Sequence, residues 1–493
     1  MLTPLIDAGA RLAALEREAA HQAALSAGDG RAWVGERDGI HPVVIVGAGQ
    51  AGLVLARGLR RRGIDDVIVL DAAPAGSAGP WTTYARMHTL RTPKDIAWPT
   101  WGTPAVSPRA WFEAVYGLAA WDEIEFFPTV AWHGFLQWYR EVSAITVVPS
   151  TRVTAIVPGD GPLRLALEGP DGTWTLEAHH VVLATGIEGA GGRHIPALLD
   201  ALPADRVHHT HDDIDFGALA GLRIGILGAG TGAFDNAATA LEHGAASVDV
   251  HMRRAAMPQV SPYRWMEFAG LIENYGTFTD AQKWAFNVHL SAVDQPATQN
   301  ALWRAHAFDD FRFLTSSPWE SVAWTGSDIA VTTPRGIHHY DVVLAATGIT
   351  SDLARRPELS TVAPDATLWS DRLNPEAAAQ NPGLAAFPYL DDDFGLVDRN
   401  GGEALSRIHL FNHGARISQG MLSHQIPGLV GGATKLAAAL SRRLFARQSD
   451  ELLAEYLAYD VPVGVHIGRR AAASSSLVEH NAGAFAPGRA LHT

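Results

Sequence analysis

Twice along this chain a short unbroken apolar run meets a cluster of glycines and then an apolar pattern of helical spacing. Residues 43–46 (VVIV) lead into Gly47, Gly49 and Gly52, and Leu53, Ala56 and Leu59 follow three apart. Residues 224–227 (IGIL) lead into Gly228 and Gly230, with Ala233 in the third place. Apolar runs of this length, bounded by turn residues, predict strands buried in a parallel sheet, and the spacing that follows predicts a helix packed on it. A second strand is expected in each unit, over residues 67–70 and 248–251. Two further runs nearly repeat one another: HHVVLATGIEG at 179–189 and YDVVLAATGIT at 340–350 each read as a strand ending in Ala-Thr-Gly. Residues 1–30 carry apolar positions at helical spacing with charges between them and no continuous apolar run. They predict an amphipathic helix packed on the protein rather than a signal peptide.

The spacing of the glycines has a chemical meaning. In a strand, GxGxxG turn and helix, the first glycine permits the tight turn and the second lets the backbone approach a pyrophosphate. The third lets helix and strand pack closely, and the first helical amides face the anion. In the first unit these are Gly47, Gly49 and Gly52, with Gln50 and Ala51 opening the helix; Asp71, followed by Ala72, ends the next strand, where a carboxylate accepts from ribose hydroxyls. In the second unit Gly228, Gly230, Thr231 and Gly232 make the turn, and Arg253 and Arg254 follow the second strand in place of an acid. A guanidinium there can pair with a ribose 2′-phosphate, which favours NADPH over NADH. The small residues Thr185, Gly186, Thr347 and Gly348 at the Ala-Thr-Gly ends let the chain pass close to a cofactor, one end before the second unit and one after it.

The expectation is therefore an α/β protein with two Rossmann-like dinucleotide-binding domains, for FAD and NADPH, the NADPH domain inserted in the FAD domain. Its expected segments are a helical extension over 1–40, the opening stretch of the FAD domain over 41–190, and the NADPH domain over 191–345 with a small helical insertion at 257–320. The FAD domain resumes over 346–445, and a C-terminal helix and tail follow over 446–493. A chain of 493 residues is long enough for this. A formal charge of -14 without clustered Lys or Arg argues against a nucleic-acid partner. No stretch approaches an uninterrupted membrane span, so no membrane partner and a cytoplasmic location are expected. The absence of Cys excludes disulfides, thiolate metal sites and a redox-active Cys pair.

These motifs resemble those of the two-dinucleotide-binding-domain flavoproteins, and the missing cysteines point away from their disulfide-reductase branch. Over residues 41–445 the chain is similar to the class B flavoprotein monooxygenases, which comprise flavin-containing, Baeyer-Villiger and N-hydroxylating enzymes. AGSAGPWTTYARMHTLRTPKDIAWP carries Gly79, Pro80 and Trp81 where that family has a Gly-Gly-x-Trp turn, and Arg91 stands where flavin-containing monooxygenases place an Asn. ADRVHHTHDDIDF puts His209 in the fingerprint before the NADPH unit, with Pro203 and Asp205 at its Phe and Gly positions. FNHGARISQGMLSHQIPGLVGGATKLAAAL resembles the flavin-contacting stretch of the lysine and ornithine N-hydroxylases through His413, Gly414, Met421, Leu422 and Ser423.

The resemblance implies FAD bound by the first glycine turn together with Trp81, Val153, Thr185, Gly186, Met421 and Leu422. NADPH would reduce it, and O2 would add to form a flavin C4a-hydroperoxide that passes one oxygen atom to a small organic substrate. The implied reaction is N- or S-oxidation, hydroxylation or Baeyer-Villiger insertion. Arg91 and Lys94 are flavin-flanking candidates, since a cation there stabilises an anionic reduced flavin; strand-end charges facing solvent are the competing reading. This chemistry needs no metal, so His208, His209, His211, Asp212 and Asp213 are not expected to hold one, and His209 is expected to brace the linker between the domains. The aromatics of residues 98–138 and 265–324 suit core packing better than pocket walls. The alternative activity is an NAD(P)H-dependent flavin oxidoreductase without oxygen insertion, and a homodimer is the base-rate assembly.

Overall fold

The computed structural model describes residues 2–26, 31–422, 425–463 and 465. Two compact units emerge, Met1–Leu444 and Phe445–Thr493. The first is built on two sheets. In the larger, seven-stranded sheet, Ile40–Val46 lies between Val67–Leu70 and Gly172–Leu183, all parallel, with Val43 opposite Val67 and Ile45 opposite Val182. Gly172–Leu183 serves two neighbourhoods because its two halves differ. Its first half pairs antiparallel with Leu163–Gly169, whose partner is Arg152–Val157. Its fully buried end, His180 to Leu183, lies between Ile40–Val46 and a late strand, Ile408–Leu410. Apolar side chains on both faces suit that end to the middle of a parallel sheet. The helix Gln50–Arg60 buries most of its residues against this sheet.

The second sheet is wholly parallel, in the spatial order Val207–His209, Val342–Ala345, Arg223–Leu227, Ser247–His251 and Phe311–Leu314. Helix Thr231–Glu242 covers it, and a three-stranded antiparallel sheet, Ser321–Trp324, Ile329–Thr333 and Gly336–Tyr340, precedes its strand Val342–Ala345. The chain crosses between the two sheets twice, and the crossings pair with each other: Gly191–Arg193 runs antiparallel to Ile349–Ser351. A Cβ on Gly191 would lie 1.9 Å from the Thr350 carbonyl oxygen, so this ribbon closes only because that position has no side chain.

The helical insertion is shorter than its expected span of 257–320. Helices occupy Pro262–Met266, Ala269–Asn274, Asp280–Val293 and Gln299–His306, but Phe311–Leu314 is an edge strand of the second sheet. Phe311 is buried and Arg312 reaches the carboxylate of Asp249 on the neighbouring strand, a period-two pattern too short to stand out beside helices. Gln299–His306 packs on Thr231–Glu242 through Ala301 and Ala305, whereas the earlier helices turn towards the chain around residues 413–421. The N-terminal helix is Ala8–Leu25; it lies on Pro108–Tyr116, where Arg11 donates to the Ala114 carbonyl at 3.1 Å. The aromatics of residues 98–138 form core, with Trp98 edge-on to Trp132, Phe135 and Tyr139 at centroid distances of 5.3, 5.1 and 5.3 Å. Of the other aromatic set, Trp265 and Trp303 are exposed.

In the second unit the described helix is Ser449–Ala458, with Asp450 and Glu451 in its first turn, the end at which the helix dipole favours anions. The small polar tail beyond residue 465 lies outside the described residues. Among the described residues no helix is long and apolar enough to cross a membrane.

Candidate functional site

The two glycine turns are built alike. Gly47 has φ +107 and its amide donates to the Leu70 carbonyl at 2.7 Å; a Cβ there would lie 2.5 Å from the Ala184 carbonyl oxygen. Gly228 also has φ +107, donates to the His251 carbonyl at 3.0 Å, and its Cβ would lie 2.4 Å from the Ala346 carbonyl oxygen. Each turn is thus pressed against the Ala-Thr-Gly end of the neighbouring strand, and only glycine fits. Gly52 tightens the first unit further, since its Cβ would meet the Gly47 carbonyl oxygen at 1.9 Å. The second glycines differ: Gly230 has nothing within 4 Å of its would-be Cβ, and Gly49 has only the Cα of Gly79, at 4.0 Å. They cap the helices Thr231–Glu242 and Gln50–Arg60, leaving open space in front of the first helical amides. That is the shape a pyrophosphate requires.

Other expected FAD residues gather around the first turn. Asp71 holds it, its carboxylate accepting from Ala48 N at 2.7 Å and Ala73 N at 2.8 Å. Each oxygen keeps a further lone pair for a ribose hydroxyl. Ala72 beside it is exposed, and Val153 is buried in the strand that begins one residue after Thr151, whose amide donates to the Asp71 carbonyl. Trp81 folds over the turn from Gly79, edge-on to Trp132, and its Nε1 is buried with no hydrogen-bond partner. Gln50 accepts from Trp132 Nε1 at 3.3 Å, and Ala51 is buried. An orphaned donor and an open glycine turn suit a bound dinucleotide, so these residues fit FAD.

Asn412 is a residue the sequence did not single out. Fully buried, it donates to the Leu183 carbonyl and Thr185 Oγ1, both at 3.1 Å, and accepts from Gly414 N at 2.8 Å. It thereby fastens the end of Ile408–Leu410 to the turn of Thr185 and Gly186; Gly186, at φ +71, is open to space. The corresponding turn of Thr347 and Gly348 is tied to the first crossing: Thr347 Oγ1 donates to the His194 carbonyl, and His194 N donates to the Gly348 carbonyl at 3.0 Å.

His209 also serves that junction. Its Nε2–H donates to the Gly348 carbonyl at 2.9 Å and its Nδ1 accepts from His211 N at 3.1 Å, which defines the neutral tautomer. Burial, then the neighbouring His211, push its pKa down to about 4. Two other members of that His and Asp cluster are held nearby: His211 meets Glu188 at 3.0 Å and stacks on Tyr84, and Asp212 pairs with Arg193.

The two flavin-flanking candidates each have partners within the protein. Lys94 Nζ donates to the Trp121 carbonyl at 2.6 Å and lies over the Trp121 ring. Arg91 reaches Asp235 on helix Thr231–Glu242 at 3.4 Å, and Arg304 reaches the other oxygen of that buried carboxylate at 3.3 Å. Burial raises the Asp235 pKa, and the two guanidiniums oppose that. Arg91 therefore joins the two sheet layers. In the second nucleotide unit Thr231 is buried, a Cβ on Gly232 would lie 3.9 Å from Thr210 Oγ1, and Arg253 is exposed while Arg254 lies 3.7 Å from Asp294. Asp249, the acid within the second strand, is buried and takes Arg312 and the Tyr340 hydroxyl, so it does not face a ribose.

A narrow cleft, open to solvent, lies where the insertion meets the C-terminal stretch. Helices Pro262–Met266 and Asp280–Val293 supply Tyr263, Met266, Phe286, Asn287 and Leu290; the other wall is His413, Arg416, Gly420, Met421 and Gln425. Met421 and Leu422 are buried, and Leu422 packs against the glycines at the start of Leu429–Arg447: a Cβ on Gly432 would lie 2.0 Å from its carbonyl oxygen. Ser423 lies outside the described residues. Gly420, at φ +61, lets the Tyr275 ring pack against it, and Tyr275 donates to the Ile417 carbonyl and receives Asn287 Nδ2 at 2.8 Å.

Comparison with known proteins agrees with this geometry. Residues 41–273 match the pyridine nucleotide-disulphide oxidoreductase family. The Kutzneria sp. 744 ornithine N-hydroxylase, solved with reduced FAD, NADP+ and L-ornithine, superposes with a TM-score of 0.64 at 18% identity, covering 82% of this chain and 100% of that one. The ornithine hydroxylase of Pseudomonas aeruginosa gives 0.63 at 16% identity, with 82% and 100% covered. The FAD-dependent urate hydroxylase of Xanthomonas campestris pv. campestris is 39% identical over 462 residues, spanning 91% of this chain and 96% of the relative. With that identity along nearly all of both chains, this protein belongs to the same family of FAD-dependent flavoprotein monooxygenases.

Proposed function

We propose that this chain hydroxylates urate, or a purine very like it, at the expense of NADPH and O2. The 39% identity that runs the length of a urate hydroxylase carries this reading. The balance is urate, O2, NADPH and a proton giving hydroxylated urate, NADP+ and water. FAD, when bound, supplies the two-electron chemistry that lets one oxygen atom reach the substrate. The protein would hold it through the Gly47 turn, Asp71 and the Thr185 and Gly186 turn, and would limit water through the apolar lining of Met266, Phe286, Leu290 and Met421. A cationic amine, the kind of substrate named for the ornithine hydroxylases, suits this pocket poorly, because its described lining carries Arg416 and no carboxylate.

Coupling tests the proposal. With FAD-loaded protein, NADPH and O2, urate loss should match NADPH oxidation one for one. If urate is untouched and all the oxygen returns as hydrogen peroxide, the activity is that of a flavin oxidoreductase without oxygen insertion. Arg253, exposed after the second strand, is assigned to the NADPH 2′-phosphate. Arg253→Ala should raise the Michaelis constant for NADPH roughly tenfold, as loss of a charge-assisted hydrogen bond does, and leave that for NADH nearly unchanged. Equal changes for both would remove Arg253 from that role.

A further inference from the structure

The pocket between the insertion and the C-terminal stretch contains a cation whose charge the surrounding residues leave unanswered. Arg416 opens the short helix Arg416–Gln419, and its Nε is buried without a hydrogen-bond partner. No carboxylate lies within ion-pair distance of it among the described residues. Its neighbours, in contrast, are joined to one another: Tyr275 to the Ile417 carbonyl, Asn287 to Tyr275 and the Lys283 carbonyl, and Lys435 to Gln419. A buried Nε–H without an acceptor is unfavourable, and a ligand supplying the acceptor would relieve it. The walls beside it are flat or pliable, with Phe286, Met266 and Met421 facing the same space, which suits a planar ring.

We propose that Arg416 is the substrate-recognising residue of this pocket, receiving the anionic edge of a planar heterocycle and turning away amines. The planar fork of a guanidinium matches two adjacent acceptors on one edge of a ring, as it matches a carboxylate. Urate, a monoanion at neutral pH, offers such an edge from a ring nitrogen and its neighbouring carbonyl oxygen. Gln425, on the same wall, adds a neutral donor and acceptor for the remaining edge. This assignment rests on the urate reading for the identity of the anion, and on the pocket alone for its charge.

Calorimetric titration of the oxidised, FAD-loaded enzyme with urate, without NADPH, tests it. Arg416→Gln should weaken urate binding roughly tenfold to a hundredfold, as loss of a charge-assisted pair does, and Arg416→Lys should recover some of the loss. FAD content, melting temperature and the Michaelis constant for NADPH should stay at parent values. Unchanged urate affinity in Arg416→Gln overturns the proposal, as does loss of FAD from that variant, which would assign the guanidinium to the cofactor. If the parent enzyme binds no urate, the proposed function falls and Arg416 is judged with nicotinate and cadaverine as planar anion and dication. A preference for nicotinate that disappears in Arg416→Gln upholds the assignment, and equal binding of the two by the parent refutes it.

Discussion

Gly47→Ala should yield protein with less than about a tenth of the parent's bound FAD and a lowered melting temperature, because two independent constraints fall on one atom. The backbone sits at φ +107, where an L side chain is strained, and the new methyl would lie 2.5 Å from the Ala184 carbonyl oxygen. Relief requires the turn to retreat from the Ala-Thr-Gly strand end, taking the Ala48 amide off Asp71 and the helix amides away from the pyrophosphate. Gly49→Ala separates binding from folding. Its methyl has only the Cα of Gly79 nearby, at 4.0 Å, and its φ of -70 is ordinary. That variant should melt like the parent yet bind FAD at least about tenfold more weakly, because the methyl occupies the ligand's approach. FAD content by absorbance after gel filtration, set beside the two melting curves, checks both. Parent-like FAD in Gly49→Ala would mean that the cofactor does not pass this turn.

Acidification should loosen the same cradle from the opposite side. His180 and His409 are buried where Ile408–Leu410 joins Gly172–Leu183, with His180 Nδ1 3.1 Å from His409 Nε2 and His409 Nδ1 2.8 Å from the Asp393 carbonyl. The carbonyl requires a proton on His409 Nδ1, leaving Nε2 to accept from His180 Nδ1–H, so the pair fits only while His409 is neutral. Burial pushes the His409 pKa down to about 4 from an ordinary 6.5, and burial with the neighbouring cations holds His180 well below its usual value. Folded values below the unfolded ones mean that the unfolded chain takes up protons first. The contribution is therefore complete above about pH 6.5 and is lost progressively as the pH falls towards 4. For His409 alone the loss is roughly 2 kcal/mol at pH 5 and about 3 kcal/mol at pH 4, with His180 adding in the same direction.

Urea unfolding at pH 7.5 and pH 5 measures that loss. His409→Leu should be less stable than the parent at pH 7.5 yet lose less on going to pH 5. An identical drop in parent and variant would assign the acid sensitivity to other groups. Because Asn412, three residues beyond His409, fastens this strand to Thr185, FAD release should accompany the loss.

What was legible in the chain was whatever one stretch of backbone settles by itself. The glycine turns, Asp71 and the Ala-Thr-Gly ends are encoded in runs of a few residues, since a tight turn at positive φ admits little besides glycine wherever it occurs. His209 was read as a brace from its place in the fingerprint before the NADPH unit; its partner, the Gly348 carbonyl, came only from the fold. Arg91 and Lys94 were legible only as positive charges near a strand end. Their direction depended on Asp235 and on the Trp121 carbonyl, which the strand itself does not specify. Phe311–Leu314 was absorbed into a helical insertion because four residues carry too little periodicity to be told apart from their surroundings.

Arg416 stood in plain view within FNHGARISQGML, and nothing in that stretch marked it, because an arginine is conspicuous only when its surroundings fail to answer its charge. That failure is decided by the helices Pro262–Met266 and Asp280–Val293 lying against His413, Arg416, Gly420, Met421 and Gln425, more than a hundred positions away. The sequence by itself determined that two dinucleotides are held and that no thiol is involved, since both follow from local backbone requirements and residue counts. Only the tertiary structure decided which side chains enclose the substrate space and which are drawn into joining the layers. Burial and charge neutralisation are properties of neighbourhoods assembled from distant stretches of the chain.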